Sequence, residues 1–230
     1  MDGGSGPLSR TGANLMAAAA IDAPGLKQML VFVADEIIRH EAELNALDAA
    51  AGDGDHGITM RAGFEAVKER LAQLDAAASV DGILRESGAA FLAATGGAIG
   101  VILGKMLMAG GKALKDVEAI RAPEFVLLLN SFDSSVAVTG KVKAGDRTIL
   151  DSIHAAATAV SAEDAATQDL AAVAEQAAVA AEEAARSTAD MLCRVGRASR
   201  LGPRALGHPD AGATSFAIML RASRDWIISA

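Results

Sequence analysis

Three aspartates fall within eight positions of a ten-residue stretch, Asp48 to Gly57, that reads DAAAGDGDHG. Asp48, Asp53 and Asp55 are interspersed with Gly52, Gly54 and Gly57. Glycine tolerates tight backbone curvature, so the segment can fold back and aim its carboxylates at one point. Carboxylates held that close repel one another unless a cation lies between them. A hard, thiol-free oxygen set suits Mg²⁺ or Ca²⁺. An EF-hand is excluded by register: position 12 counted from Asp48 is Thr59, and counted from Asp53 it is Phe64. Neither is the bidentate Glu that loop requires. The alternative is a polar turn with Asp as helix caps, which leaves the mutual repulsion unanswered. His56 follows the cluster directly and is placed to touch whatever sits on the metal.

Three further stretches could handle an anion. Gly96, Gly100 and Gly104 are four apart. They read either as a smooth helix face that admits a close neighbour or as a helix start whose bare N–H groups meet a phosphate. A Walker A loop is excluded, because Ile99 stands where its first Gly belongs and Met106 where Ser or Thr should follow Lys105. Gly145-Asp146-Arg147-Thr148 precedes a helical pattern and reads most simply as a capped turn. Gly196 to Gly212 carries Arg197, Arg200 and Arg204 with His208 and Asp210. Arg forks recognise phosphates bidentately, and such a loop in an acidic chain suggests a nucleotide or a phosphorylated partner. Cys193 reads as a core thiol in an apolar helical setting.

The elements that must position these residues are helical. Asp22 and Pro24 start a first helix that runs past Leu44 to the aspartate loop. Further helices are expected over 59–74, from a cap at Ser79 or Asp81 to about Thr95, 99–114, 124–138, 149–160, 167–193 and 213–227. No useful alternating strand pattern occurs. With 53 alanines, 51% hydrophobic residues and only 3% aromatics, the core is built from small side chains, which favours close-packed helices. The expected fold is one all-α antiparallel bundle of eight helices over residues 15–230, after a disordered tail over residues 1–14.

Charge and composition narrow the partners. The net charge of −8 argues against a nucleic-acid binder. No apolar run is long enough to span a membrane, no signal peptide is visible, and the single cysteine fits a reducing cytoplasm.

LDAAAGDGDHG, GDRTILD, GRASRLG and GHPDAGATS occur in that order. Together they resemble the L subunit, or nucleotide-binding domain, of dihydroxyacetone kinases, over roughly Leu44 to Leu220. The resemblance implies an eight-helix antiparallel barrel with nucleotide and metal at one rim. It implies two Mg²⁺ held by Asp48, Asp53 and Asp55 and bridging to the phosphates of ADP or ATP. His56, Gly57, Ile58 and Thr59 fall on nucleotide contacts, as do Gly140, Ile149, Arg197, Asp210, Ala211 and Gly212. It also implies a ketose-binding K subunit as partner, without which this chain is inactive, and either ATP or a phosphohistidine carrier of a phosphotransferase system as donor.

The chain departs from the family at Ala98 and Ile99, where a hydroxyl pair usually faces the phosphates. Ala and Ile cannot supply those hydrogen bonds, although backbone N–H groups near Gly97 and Gly100 can. Thr59, Arg200 and Ala211 also differ from the usual residues at their places. These departures keep a second reading open, a non-catalytic nucleotide sensor that regulates a partner protein. A metal-dependent phosphohydrolase is a weaker third.

Overall fold

Asp22 accepts the Gly25 N–H at 2.9 Å and so starts the first long helix, α1 (Ala23–Arg39), where the sequence places its cap. The computed structural model describes residues 20–195 and 206–230. The expected tail over residues 1–14 lies outside them, as do Arg197, Arg200 and Arg204. The chain then forms α2 (Glu41–Ala49), α3 (His56–Gln73), α4 (Val80–Ala94) and α5 (Gly97–Ala113). After these come α6 (Ala122–Gly140), α7 (Ile149–Ala159), α8 (Ala162–Thr167), α9 (Leu170–Ser187) and α10 (Ala211–Ser229).

The fold is all-α, as expected, with eight principal helices and two short ones, α2 and α8, among the described residues. Of the short helices, α2 comes from a break within a stretch the periodicity reads as continuous, whereas α8 fills the gap between the expected helices over 149–160 and 167–193. The first helix ends at His40, whose backbone N–H and ring Nδ1 both turn back onto the last turn of α1. α8 is capped by Ser161, and the alanine-rich helix expected from Thr167 starts after it as α9, capped by Asp169. It ends at Ser187 and passes into a 3-10 turn, Thr188–Asp190, rather than reaching Cys193. A two-residue antiparallel pair, β1 (Ile21–Asp22) with β2 (Ala119–Ile120), is too short to leave an alternating pattern.

The principal helices close into a ring. Each packs on the next in chain order, from α1 through α3, α4, α5, α6, α7 and α9 to α10, and α10 returns to α1. Short connections join α3 to α4, α4 to α5, α5 to α6 and α6 to α7, which makes these neighbours antiparallel. Leu26, Ile37, Phe64, Phe91, Met106, Leu129 and Ile153 fill its core. Small residues let the helices approach closely: a Cβ on Gly88 would lie 2.5 Å from the Gly104 carbonyl oxygen, and one on Gly104 would lie 2.7 Å from Leu92 Cβ. Gly104 thus belongs to the α4–α5 packing face, whereas Gly96 and Gly97 stand open at the end of the ring. Among the described residues no helix is long and apolar enough to cross a membrane.

Candidate functional site

The antiparallel ring puts the N-termini of α3, α5, α7 and α10 at one end. That end also carries the aspartate loop, between α2 and α3. Each helix start presents unsatisfied N–H groups and roughly half a positive charge. A cleft of about 240 Å³ lies among these starts. Its walls include Asp48 and His56, Ala98 and Ile99, Arg147 to Ile149, and Asp210 to Gly212.

The loop brings the three aspartates together. A carboxylate oxygen from each of Asp48, Asp53 and Asp55 lies within 4.8 Å of the others. Asp48 Oδ2 accepts the Gly54 N–H at 2.8 Å and the Asp55 N–H at 3.1 Å, folding the loop back onto the end of α2. Gly54 takes φ +78°, which a side chain would resist. Asp53 and Asp55 are exposed at the mouth, and Asp48 is half-buried behind them. An all-carboxylate set of this span fits a hard divalent cation such as Mg²⁺.

His56 opens α3 and faces the start of α10. Its Nε2 lies 3.2 Å from Ser215 Oγ, which donates its own proton to the Gly212 carbonyl at 2.8 Å. The Ser215 oxygen therefore accepts from His56, leaving Nδ1 as the ring's acceptor. Burial pulls the His56 pKa below its ordinary value, against the opposing pull of Asp48, so the ring is neutral at pH 7.

The starts of α7 and α10 are cross-braced. Thr148 and Asp151 form a capping box on α7, and Asp151 also accepts the Gly145 N–H. Asp210 caps α10 through the Ala213 N–H at 2.8 Å. Arg147, only 2% exposed and held at φ +61°, donates through Nη2 to the His208 carbonyl at 2.7 Å. Burial raises the Asp210 pKa to about 6, against the Ala213 hydrogen bond and the Arg147 charge, while Asp151 adds to the rise.

At α5 the N-cap is Gly96, with no side-chain cap, and Ala98 is exposed. Among the described residues, α5 is the one of the four starts that no side-chain acceptor covers. Its first N–H groups are the open ones.

The structure thus unites Asp48, Asp53, Asp55, His56, Ala98, Ile99, Ile149, Asp210, Ala211 and Gly212 around one cleft. Gly57, Ile58 and Thr59 form the first turn of α3 beside it and are not part of its wall. Gly57 is buried, and a Cβ there would overlap the Glu41 carbonyl oxygen, so its smallness serves the packing of α2. Gly140 ends α6 next to Ile102, which lines the cleft. Arg197 lies outside the described residues. Sequence reasoning read Arg147 as part of a capped turn; its place in the wall depends on burial, which no local pattern signals. Ser215 and Asn45 were also missed. Ser215 sits in the quoted GHPDAGATS stretch, whereas Asn45 has no local signal.

The DAK2 domain profile matches residues 50–225. The D-erythrulose kinase of Mycolicibacterium smegmatis is 35% identical over 222 residues, covering 95% of this chain and 36% of that kinase. The Escherichia coli protein named PEP-dependent dihydroxyacetone kinase, ADP-binding subunit DhaL, is 33% identical over 187 residues, covering 81% of this chain and 89% of that subunit. The crystal structure of the C. freundii dihydroxyacetone kinase in complex with AMP-PNP and Mg²⁺ shares the fold. Its TM-score is 0.68 at 23% identity, over 98% of this chain and 38% of that one. The chain spans about a third of the length of the erythrulose kinases it matches.

Proposed function

The chain belongs to the DAK2 domain family, and from that premise we propose that it is the nucleotide- and Mg²⁺-binding half of a ketose kinase. The observation that carries this reading is the meeting of three clustered carboxylates with four helix N-termini at one cleft. Carboxylates hold cations and helix starts hold anions, and a metal-bound polyphosphate is both.

Asp48, Asp53 and Asp55 hold Mg²⁺, two ions on the family's pattern. The bound metal neutralises charge on the transferred phosphoryl group. The N–H groups at the start of α5 cradle phosphate without side-chain help, which suits a chain with Ala98 and Ile99 there. Asp210, Ala211 and Gly212 line the opposite wall with Ile149, and Arg147 keeps the α7 and α10 starts in register. His56 offers a neutral Nδ1 at the edge of the metal site. None of these is a general base. The acceptor hydroxyl is activated on a separate K subunit, and the chain alone transfers nothing to a ketose. The phosphoryl donor is ATP, or a phosphohistidine carrier that recharges bound ADP. The single cysteine and the nucleotide requirement fit a cytoplasmic protein.

Reconstitution tests this. The purified chain is mixed with Mg²⁺, dihydroxyacetone or erythrulose, a K subunit from the same source, and either ATP or a phosphohistidine carrier with its donor. Ketose phosphate should form with one donor and only when the K subunit is present. Tight MgADP binding with no transfer under either regime would favour the nucleotide-sensor reading.

A further inference from the structure

We infer that Asn45 is a positioning residue for the metal-binding loop; this rests on the proposed role of Asp48, Asp53 and Asp55 as Mg²⁺ ligands. Asn45 lies on α2, three residues before Asp48, so the two share a face of that helix. Its Oδ1 accepts the Ile58 N–H at 3.1 Å. Ile58 belongs to the first turn of α3, whose N-cap position is Asp55, and the Asp55 side chain makes no cap hydrogen bond there. In an ordinary helix start the N-cap carboxylate takes that N–H itself. Here an amide from the neighbouring helix takes it, and the carboxylate of Asp55 is directed into the cluster.

The α3 end of the loop is therefore strapped to α2 by two side chains. Asp48 holds the Gly54 and Asp55 N–H groups, and Asn45 holds Ile58 just beyond. The seat is close: a Cβ on Gly57 would come within 2.8 Å of Asn45 Oδ1 as well as overlapping the Glu41 carbonyl. Without Asn45, the first turn of α3 loses its acceptor, and the Asp55 carboxylate is drawn back to cap it. Recovering the ligand geometry then becomes part of the work of binding the cation.

The test uses the whole chain, Mn²⁺ as probe and ADP as co-ligand, with Asn45→Ala and Asn45→Asp. Free Mn²⁺ is followed by electron paramagnetic resonance, and the Ile58 amide by hydrogen exchange. Asn45→Ala should weaken Mn²⁺ binding roughly fivefold to tenfold, the usual effect of a lost cap. The Ile58 amide should exchange faster, while ADP affinity at saturating Mn²⁺ stays at the parent value. Asn45→Asp, which keeps an acceptor at the same reach, should restore protection of Ile58 and Mn²⁺ affinity. Equal Mn²⁺ affinity in Asn45→Ala and the parent would overturn the inference and leave the metal assignment standing. Equal loss of ADP affinity at saturating Mn²⁺ would also overturn it, since a merely structural role predicts that. A parent chain that binds no Mn²⁺ with ADP would sink the metal assignment itself, and this inference with it.

Discussion

Asp210 is a carboxylate whose burial works against the fold, and replacing it by Asn separates its structural role from its role in the site. Its folded pKa is raised from 3.8 to about 6, chiefly by burial. A raised carboxylate pKa means that the folded chain holds the proton more tightly than the unfolded one. The stabilisation from that proton is full below about pH 4 and is lost as the pH rises through about 6. At about 1.4 kcal/mol per pH unit, the ionised group costs the fold on the order of 3 kcal/mol at pH 7.5. An asparagine side chain at this position keeps an oxygen for the Ala213 N–H and carries no charge. The loss of attraction to Arg147 is already contained in the net shift. Asp210→Asn should therefore raise Tm at pH 7.5 by roughly 6–12 °C. At pH 4.5 the gain should largely vanish, because the parent is then mostly protonated at this position. Thermal melts by circular dichroism at the two pH values decide it. A variant less stable than the parent at pH 7.5, or a difference independent of pH, would refute the reasoning. Retention of a destabilising acid at a cleft wall is what a binding role predicts, so the stabilised variant should also bind MgADP more weakly by calorimetry.

Gly57→Ala forces a methyl group against the Glu41 carbonyl and should destabilise the chain by about 1–3 kcal/mol or more, while displacing α2 and weakening Mn²⁺ binding. Denaturant unfolding and metal titration should move together, and an unchanged unfolding midpoint would contradict the close approach. Ala98→Thr puts a hydroxyl on the exposed first turn of α5 and should tighten MgADP binding by roughly tenfold if that turn meets phosphate. The same hydroxyl at Ile99 is a poorer choice, because Ile99 is half-buried against the core and Ser would leave a void. A folded Ala98→Thr chain that binds MgADP no better would show that α5 does not face the phosphates.

Much of this arrangement is legible locally. Asp22, Ser79 and Thr148 announce helix starts because a side-chain cap acts within three residues. The aspartate cluster is visible because its members fall within one short stretch and glycines bend the chain between them. Tertiary contacts carry the rest. His40 breaks the first helix without Gly or Pro, by hydrogen-bonding back to Glu36 while its other nitrogen meets Arg221 of α10 at 3.4 Å. α8 and α9 do carry local signals, Ser161 with Asp164 and then Asp169, although the expected helices over 149–160 and 167–193 leave α8 in the gap between them. Gly57, expected as a nucleotide contact, also has a packing role that no local pattern signals: it is buried where a neighbouring backbone leaves no room for Cβ. The glycines of α5 divide by depth, Gly104 into helix packing and Gly97 onto the open rim with φ +72°.

The central claim is that Asp48, Asp53 and Asp55 bind nucleotide through a divalent cation. Calorimetric titration of ADP into the parent chain and into Asp53→Ala, each with and without Mg²⁺, tests it most directly. The parent should bind ADP with Mg²⁺ and lose most of that affinity in EDTA. Asp53→Ala should bind MgADP at least tenfold more weakly, about 1.4 kcal/mol or more, with its helical circular dichroism intact. ADP binding by the parent that is indifferent to Mg²⁺, or MgADP affinity unchanged in the folded Asp53→Ala chain, would contradict the account.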